Sequence, residues 1–355
     1  MRIGIDVHSA HRRKTGIGVY TSNLVRGLRA VDGTNEYLLY GDTRPRNLRT
    51  LARIARENTY LSARSFIDHL ELLHIPGYGV PLFSKGTLVV TVHDLIGMIY
   101  PENLALMSRF YWGTWLPLVV SRADRIIADS FNTKHDLMKL LSIPESKIRV
   151  IHLAADPKFR PVREPLALHQ VKKRFNLAKP FVLYVGTIEP RKNLVRVMEA
   201  WARVRRRTKI PYQLVITGFQ AWAYREVSEL VRRLEIKRDV VFTGYVRDEE
   251  LPLLYNASDL FIFPSLYEGF GMPVLEAMAC GVPVLTSNTS SIPEVASDAA
   301  VMVDPTDVEK MALGIQEVLE NQTLREHMVQ AGPVRAAQFS WKKTACQTLD
   351  VYLGK

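Results

Sequence analysis

The sequence predicts an α/β protein made of two doubly wound domains that face each other across a central cleft. The chain has 355 residues, more than twice the length of a typical domain of ~150 residues. Short runs of β-forming residues alternate with amphipathic helical stretches along both halves, which is typical of parallel sheets joined by crossover helices. Residues 156–180 are rich in proline and charge, so we place the domain boundary near 165–178.

Each half is predicted to be a series of strands followed by helices. The predicted strands are 2–7, 36–40, 87–92 and 125–129, then 181–185, 213–217, 240–242, 260–263 and 282–286. The predicted helices are 18–29 and 133–141, a short one at 168–175, then 193–205, 222–234, 272–279, 307–320 and 324–338. Ligands of such sheets bind beyond the carboxyl ends of the strands, so the residues that follow each strand are the candidates for chemistry.

Composition excludes several classes of protein. Hydrophobic residues make up 47% and charged residues 23%, which is typical of soluble globular chains, and no apolar run reaches the ~20 residues of a membrane span. The two cysteines, Cys280 and Cys346, form no CxxC pair, so neither a disulfide framework nor a cysteine-rich metal site is expected. The first residues lead directly into a strand without a signal-peptide pattern, and we expect a cytoplasmic protein.

The net charge of +11 is concentrated in the first half. Residues 1–165 carry 23 basic and 15 acidic residues, a net charge of +8. This excess favours an anionic partner, which could be nucleic acid, an anionic membrane surface or a phosphorylated substrate. A merely soluble basic surface explains it equally well.

Polar motifs follow two of the strands in the first half. Gly16 and Gly18 come after the first strand and open a helix, where glycines allow backbone N–H groups to approach a phosphate; a tight turn is the alternative. His93 comes directly after the strand 87–92, which suits a polar site, although a structural histidine would also fit.

Two cations, Arg191 and Lys192, stand at a predicted helix start in the second half. Helix N-termini favour anions rather than cations, so a bound phosphate would explain the pair; solvated surface cations are the alternative. A second helix start carries Gly269 and Gly271, with Glu268 before it. Pro273 suits the first helical position, which would place Glu276 in the first turn. The amides could hold an oxyanion and the two carboxylates could accept from sugar hydroxyls, whereas Glu276 alone could merely stabilise the helix dipole.

The stretch EGFGMPVLEAMACGVPV, in which seven residues separate Glu268 from Glu276, resembles the EX7E motif of family-4 retaining glycosyltransferases, which have the GT-B fold. Other segments in that family's places are TGIGVYT at 15–21, HDL at 93–95, ADS at 128–130, GTIEPRKN at 186–193, FTGYV at 242–246 and FSWKKTACQTLDVY at 339–352. The sequence is most similar to bacterial mannosyltransferases that build polysaccharide or lipopolysaccharide. The resemblance implies an acceptor-binding domain over 1–165, a donor-binding domain over 166–338, and a C-terminal helix over 339–355 that packs back toward the first domain.

The resemblance also implies roles for matched residues. Lys192 would bind the donor diphosphate beside Arg191, and His93 would lie by the reacting side of the sugar. Glu268 would contact the sugar hydroxyls and Glu276 the ribose. The other implied donor-binding residues are Gly16, Gly18, Thr187, Gly244, Tyr245, Val246, Gly269, Phe270, Gly271 and Met272. Several family members carry arginine at the place of Thr187, so Arg191 is the candidate substitute.

The implied reaction transfers a hexose, with mannose as the first choice, from a nucleotide diphosphate sugar to a hydroxyl of a glycan or lipid-linked acceptor, with retention of configuration. GDP-mannose is the first donor and a UDP- or dTDP-sugar the alternative. No metal or cofactor is expected, because cations and amides meet the diphosphate charge and no Asp-x-Asp motif occurs. The alternatives are a nucleotide-sugar epimerase of the same fold and a non-catalytic nucleotide-sugar-binding protein. A nucleic-acid-binding protein is disfavoured because no such motif occurs.

A basic segment and an aromatic segment suggest peripheral contact with the inner face of a membrane. Six arginines occur within 21 residues that contain one acid, Glu57, while leucine or isoleucine recurs at 48, 51 and 54. The arginines are Arg44, Arg46, Arg49, Arg53, Arg56 and Arg64. Residues 110–116 are unusually aromatic, and aromatics beside cations suit a bilayer interface. Packing of Leu48, Leu51, Ile54 and the aromatics in the core is the alternative.

Overall fold

The computed structural model describes residues 1–11, 16–41, 55–208, 212–218 and 224–355. They form two compact units, one of Met1–Ala154 with Phe339–Lys355 and one of Ala155–Gln338. Each unit is built on a six-stranded parallel sheet, so the predicted α/β fold of two doubly wound domains is confirmed. The division at Ala154 lies before the predicted boundary at 165, because the helix that begins at Pro165 packs within the second unit.

Among its described residues up to Ala154, the N-terminal unit contains six strands and six α-helices. The strands are β1 Arg2–Asp6, β2 Glu36–Tyr40, β3 Leu72–Ile75, β4 Thr87–Val92, β5 Arg125–Ala128 and β6 Ile148–Val150. The helices are α1 Gly16–Val31, α2 Ser62–Ile67, α3 Ile96–Ile99, α4 Leu106–Phe110, α5 Leu116–Ser121 and α6 Phe131–Leu141. The strand order β2-β1-β3-β4-β5-β6 changes direction between β1 and β3. Ligands of doubly wound sheets bind at such a switch point.

The C-terminal unit has the same plan, and the order of its strands also reverses once. Its strands are β7 Phe181–Val185, β8 Gln213–Thr217, β9 Val240–Gly244, β10 Leu260–Phe263, β11 Val284–Ser287 and β12 Val301–Val303. Its helices are α7 Pro165–Arg174, α8 Leu194–Arg207, α9 Tyr224–Arg233, α10 Leu251–Asn256, α11 Met272–Ala279, α12 Ile292–Ala296, α13 Val308–Glu320 and α14 Gln322–Ala336. The order β12-β11-β10-β7-β8-β9 changes direction between β10 and β7. The segments after β7 and β10 therefore meet at one edge of the sheet.

Nine strands match the prediction, but β3, β6 and β12 were not predicted. The strands β6 and β12 have only three residues each, and β3 has four, one of which is His74. Such short segments carry too few residues to show a period. The predicted helix start at Trp222 lies outside the described residues.

The last helix, α15 Trp341–Leu353, belongs to the N-terminal unit. It packs closely along α1, so that a Cβ added at Gly27 would lie 2.9 Å from the Cβ of Ala345. Arg125 on β5 donates to the backbone carbonyls of Val351 and Tyr352 at 2.6 and 2.9 Å. The chain end is thereby joined to the N-terminal sheet.

Candidate active site

A buried ion pair lies at the switch point of the C-terminal sheet. Lys192 ends the helical turn that follows β7, and Glu268 lies in the loop between β10 and α11. The Lys192 Nζ donates to Glu268 Oε1 at 2.5 Å, and each residue is only 8% exposed. Arg191 Nη1 lies 3.2 Å from the same oxygen, and Arg191 Nη2 lies 2.6 Å from Glu189 Oε1. The structure therefore brings together three of the predicted catalytic residues.

Burial and the neighbouring charges together set the protonation of Lys192 and Glu268. Burial lowers the pKa of Lys192 below its ordinary value, and Arg191 acts in the same direction against the attraction of Glu268. Burial also opposes ionisation of Glu268, but the charges of Lys192 and Arg191 hold the pKa of that carboxyl below its ordinary value. Glu268 is thus an ionised carboxylate whose cationic partner is kept from water.

Asn193 holds the two loops of the cluster together. Its backbone is in the left-handed region, with φ of 62°, a conformation that asparagine tolerates better than most residues. The side-chain amide donates to the carbonyls of Pro264 at 3.0 Å and Pro305 at 2.6 Å. The amide of Leu266 donates to the Arg191 carbonyl at 2.8 Å. Both loops are consequently fixed by hydrogen bonds to backbone groups.

Two serines fix the backbone of Glu268. The Glu268 amide donates to Ser290 Oγ at 3.0 Å, and Ser291 Oγ donates to the Glu268 carbonyl at 2.9 Å. Sequence reasoning did not select these serines, although they lie in a polar run directly after β11. Their role depends on contact between distant segments, which no local pattern reveals.

Gly271 caps the start of α11. Its φ of 109° lies in the left-handed region, and an added Cβ would lie 2.7 Å from Ile292 Cδ1, so a side chain there would strain the backbone and displace the end of Ile292. Phe270 is buried, whereas Gly269 and Met272 are half-buried. The predicted glycine-rich helix start therefore exists, next to the carboxylate of Glu268.

Glu276 occupies a different helical position from the one predicted. The helix begins at Met272, with Pro273 as its second residue, so Glu276 lies beyond the first turn. The prediction of a first-turn position was wrong because proline is accepted at either of the first two positions. Glu276 Oε2 accepts from the Tyr255 hydroxyl at 3.2 Å. Burial raises the pKa of Glu276 to about 8. A helix N-terminus favours an ionised carboxylate, so stabilisation of the helix dipole alone does not explain this glutamate.

Glycines mark the ends of the neighbouring strands. Gly244 ends β9 with φ of 70°, followed by exposed Tyr245 and buried Val246. Gly218, which sequence reasoning missed, follows β8 with φ of 147°, and an added Cβ there would lie 2.0 Å from the Gly186 carbonyl oxygen. Thr187, beside that carbonyl, is half-buried. The predicted donor-binding residues Gly244, Tyr245 and Val246 thus lie at the same sheet edge as the cluster.

His93 lies at the carboxyl edge of the N-terminal sheet. Its Nδ1 is 2.6 Å from Asp129 Oδ2, and both residues are buried. Burial disfavours the imidazolium, but the charge of Asp129, with a smaller contribution from Asp94, raises the pKa of His93 above its ordinary value. The sequence indicated Asp129 only as part of the ADS segment at 128–130, and its pairing with His93 was not predicted.

The predicted glycines of the first loop lie at the start of α1. Gly16 is its exposed first residue, and Gly18 is buried in its first turn. Lys14 and Thr15 of the same motif lie outside the described residues. Gly16 and Gly18 therefore open a helix, as predicted.

Comparison with known proteins decides the family. Residues 14–159 match Glycosyltransferase Family 4, and residues 168–335 match the family of glycosyl transferases group 1. The chain is 31% identical over 368 residues to the O-antigen chain mannosyltransferase B of Escherichia coli, with 95% of this chain and 96% of that protein covered. The chain belongs to this family of glycosyltransferases. The glycosyltransferase is also 30% identical to the serotype-specific mannosyltransferase WbdA of E. coli, over 74% of this chain but only 33% of that longer protein.

Solved structures confirm the GT-B fold of this glycosyltransferase. Sucrose-phosphate synthase from Thermosynechococcus elongatus superposes with a TM-score of 0.78 at 20% identity, covering 100% of this chain and 98% of that chain. The Anabaena protein HepE, crystallised with UDP-glucose, gives a TM-score of 0.78 at 17% identity and covers 100% of both chains. At these identities the likeness establishes the fold alone.

Proposed function

We propose that this glycosyltransferase transfers mannose from GDP-mannose to a hydroxyl of a glycan or lipid-linked acceptor, with retention of anomeric configuration. The observation that carries the proposal is the buried cluster of Lys192, Arg191 and Glu268 at the switch point of the C-terminal sheet. The choice of mannose rests on the mannosyltransferase names of the relatives. UDP-glucose in the HepE crystal keeps a UDP-sugar as the alternative donor.

In the proposed reaction the cluster stabilises the departing nucleoside diphosphate. Lys192 and Arg191 supply two cations at one edge of the sheet, and the backbone amides at the Gly271 cap supply donors. A diphosphate would provide the buried Lys192 ammonium with the negative charge that its surroundings only partly supply. Preorganised charges of this kind act where charge develops in the transition state. Glu268, released from the ammonium, would then accept hydrogen bonds from the donor sugar.

In the proposal the proton passes to the leaving group rather than to a side chain of the enzyme. In a front-face reaction the leaving phosphate oxygen accepts the proton of the acceptor hydroxyl while the new glycosidic bond forms on the same face. His93, held by Asp129 at 2.6 Å, would lie by the reacting side of the sugar. Glu276 would accept from the ribose hydroxyls beside Tyr255.

Metal independence is part of the proposal. Within the described ranges, no group of three or more histidine, cysteine, aspartate or glutamate side chains is arranged to hold a metal ion. The proposal rests on the cations at the site, since Lys192 and Arg191 can meet the diphosphate charge directly. Neither a metal nor another cofactor is required in this mechanism.

A screen of nucleotides and donors tests the proposal. GDP should raise the melting temperature more than UDP, ADP or dTDP, because a ligand that binds the native state stabilises it. GDP-mannose incubated with an α-mannotriose acceptor should then give a tetrasaccharide and GDP. Conversion of the donor to another nucleotide sugar without an acceptor would indicate an epimerase. Binding of GDP without turnover of any donor would indicate a non-catalytic binding protein.

A lipid-linked acceptor requires the enzyme to approach a bilayer, and we propose that an exposed apolar surface of the N-terminal unit contacts an anionic membrane. Large apolar side chains are exposed on α2, on α4, on α5 and in the loop before β4, and we call them together the outer apolar surface. They are Phe66, Phe83, Leu106, Phe110 and Leu118. Among the described residues, no helix is both long and apolar enough to cross a bilayer. The contact would therefore be peripheral.

Contacts join three parts of the outer apolar surface, which are α2, the loop before β4 and the end of α5, and they add one cation. Ser62 on α2 donates to the Phe83 carbonyl at 2.7 Å, and the Arg122 guanidinium lies 5.4 Å from the Phe83 ring centroid. Arg122 lies one turn after Leu118. A cation beside exposed apolar side chains complements anionic headgroups and contributes ~1 kcal/mol.

The predicted membrane segments have mixed outcomes. Arg44, Arg46, Arg49, Arg53, Leu48, Leu51 and Ile54 lie outside the described residues. In the aromatic segment, Tyr111 and Leu116 are buried in the core, whereas Phe110 is exposed. Vesicle co-sedimentation tests the contact: the wild type should bind vesicles that contain anionic lipid at low salt, and Phe110→Ser with Leu118→Ser should not. Equal binding of both proteins would contradict the proposal, as would failure of the wild type to bind.

A further inference from the structure

A chain of hydrogen bonds runs through the interior of the N-terminal unit and ends beside His93. The Tyr352 hydroxyl lies 2.6 Å from His74 Nδ1, His74 Nε2 lies 2.8 Å from Thr91 Oγ1, and Thr91 Oγ1 lies 3.0 Å from the Tyr20 hydroxyl. All four side chains are at most 2% exposed. We call these four residues the buried relay.

The relay requires a specific arrangement of protons. Burial, with a smaller contribution from His93, lowers the pKa of His74 to about 3, so its imidazole is neutral. A neutral imidazole donates from one nitrogen and accepts at the other. The hydrogen bonds on its two sides must therefore run in the same direction, and loss of one partner leaves a buried polar atom unsatisfied. Each member consequently constrains the orientation of the next.

The relay joins four elements, and two of them lead into predicted site residues. Thr91 lies on β4 two residues before His93, and Tyr20 lies on α1 two residues after Gly18. His74 lies on β3, next to β4, and Tyr352 lies on the C-terminal helix α15. The Tyr20 ring also contacts the His93 ring edge-on, with centroids 4.9 Å apart. The relay thus connects the helix α15 to the strand that precedes His93 and to the helix that carries Gly18.

We propose that Tyr352 is a positioning residue for transfer, which acts through His74, Thr91 and Tyr20 to fix the His93 ring against Asp129. Tyr352 lies 278 residues from His74 in the chain. In this proposal the helix α15 helps to position His93 rather than only covering the core. The inference rests on the proposed role of His93.

The experiment compares Tyr352→Phe with Thr348→Val. Thr348 is equally buried on the same helix, but its hydroxyl donates to the Thr344 carbonyl within that helix, so its loss does not reach the relay. Two readouts are measured well below the melting temperature of each variant. One is kcat and KM for GDP-mannose, and the other is the 15N chemical shift of the two His93 ring nitrogens at fixed pH.

Tyr352→Phe should lower kcat about 10-fold with little change in KM, as expected when an interaction acts in the transition state, and should shift the His93 nitrogen signals. Thr348→Val should do neither. Combining Tyr352→Phe with Thr91→Val should lower kcat less than the product of the two single effects, because both changes interrupt one chain.

A merely structural tyrosine would give a different result. A lower melting temperature for Tyr352→Phe with unchanged kcat and unchanged His93 signals would overturn the proposal. If the wild-type protein transferred no sugar from any donor, the proposed function would fail, but the His93 signals would still decide the positioning role. A shift of those signals in Thr348→Val equal to that in Tyr352→Phe would also overturn it.

Discussion

Lys192 and Glu268, which are 76 residues apart in the chain, form a buried ion pair of 2.5 Å at the edge where β7 and β10 meet. The pair exists because the strand order reverses between those two strands, which brings the loops after them together. An ammonium kept from water by Phe263, whose ring centroid is 4.8 Å from Nζ, is well suited to receive an anionic group. Five predictions follow from this site and its surroundings.

Removal of the buried ammonium should abolish most of the activity. Lys192→Ala should lower the transfer rate about 100-fold, because one preorganised charge contact in a transition state is worth about 3 kcal/mol. Lys310→Ala is the matched control, since Lys310 is exposed and pairs with Asp307 at the start of its own helix. Steady-state kinetics with GDP-mannose provide the measurement, and near-normal turnover by Lys192→Ala would remove this lysine from the mechanism.

The two glutamates should divide their work. Glu276→Ala should weaken binding of free GDP, because Glu276 is proposed to accept from ribose hydroxyls. Glu268→Ala should lower turnover more than it weakens GDP binding, because the proposed partner of Glu268 is the sugar. Calorimetry with GDP and kinetics with GDP-mannose separate the two effects, and an equal loss of GDP affinity in both variants would disprove the division.

Glu276 should make folding stability fall as the pH rises. Its pKa is about 8 in the folded chain, against an ordinary 4.5, so the folded chain retains a proton that the unfolded chain releases. The stability from this proton is present at low pH and is lost as the pH rises between those two values. Glu276→Gln removes the effect, so its melting temperature should fall less than that of the wild type from about pH 5 to about pH 9. Parallel pH profiles of melting temperature would contradict the assignment.

Asp129 should control the charge of His93. Asp129→Asn removes the carboxylate 2.6 Å from Nδ1, so the titration midpoint of His93 should move to lower pH in an NMR titration. The transfer rate should fall as well. Asp124→Asn is the control, because Asp124 precedes β5 at the other end of the strand and accepts from the Leu88 amide. Identical midpoints in Asp129→Asn and the wild type would show that the pair does not set the histidine's charge.

Transfer should continue without divalent metal ions. Lys192 and Arg191 are proposed to meet the diphosphate charge, so the rate in excess EDTA should equal the untreated rate. Loss of activity on chelation that Mg²⁺ or Mn²⁺ restores would contradict metal independence.

Local motifs selected three residues of the C-terminal unit that lie together in the structure. Arg191, Lys192 and Glu268 follow strands whose apolar runs are evident in the sequence, and the structure brings these three together. The predicted position of Glu276 within its helix was wrong by one residue, which places it just beyond the first turn, because proline does not distinguish the first helical position from the second. The segment 42–54, which carried most of the predicted basic stretch, lies outside the described residues.

Pairings between distant segments were not predictable from the sequence. Asp129 and His93 directly follow neighbouring strands, and Ser290 reaches Glu268 from another loop. The strand β3 was missed because its four residues show no alternation and include the buried His74. His74 is satisfied only by Thr91 and Tyr352, and no single-segment pattern contains that information.

The stereochemistry of mannosyl transfer tests the central proposal most directly. The wild-type protein is incubated with GDP-α-D-mannose and α-mannotriose, and the one-bond coupling between C1 and H1 of the new residue is measured by NMR. We expect an α-linked product, and we expect Lys192→Ala to form it about 100-fold more slowly. A β-linked product, or a product formed equally fast without Lys192, would contradict retaining transfer by this cluster.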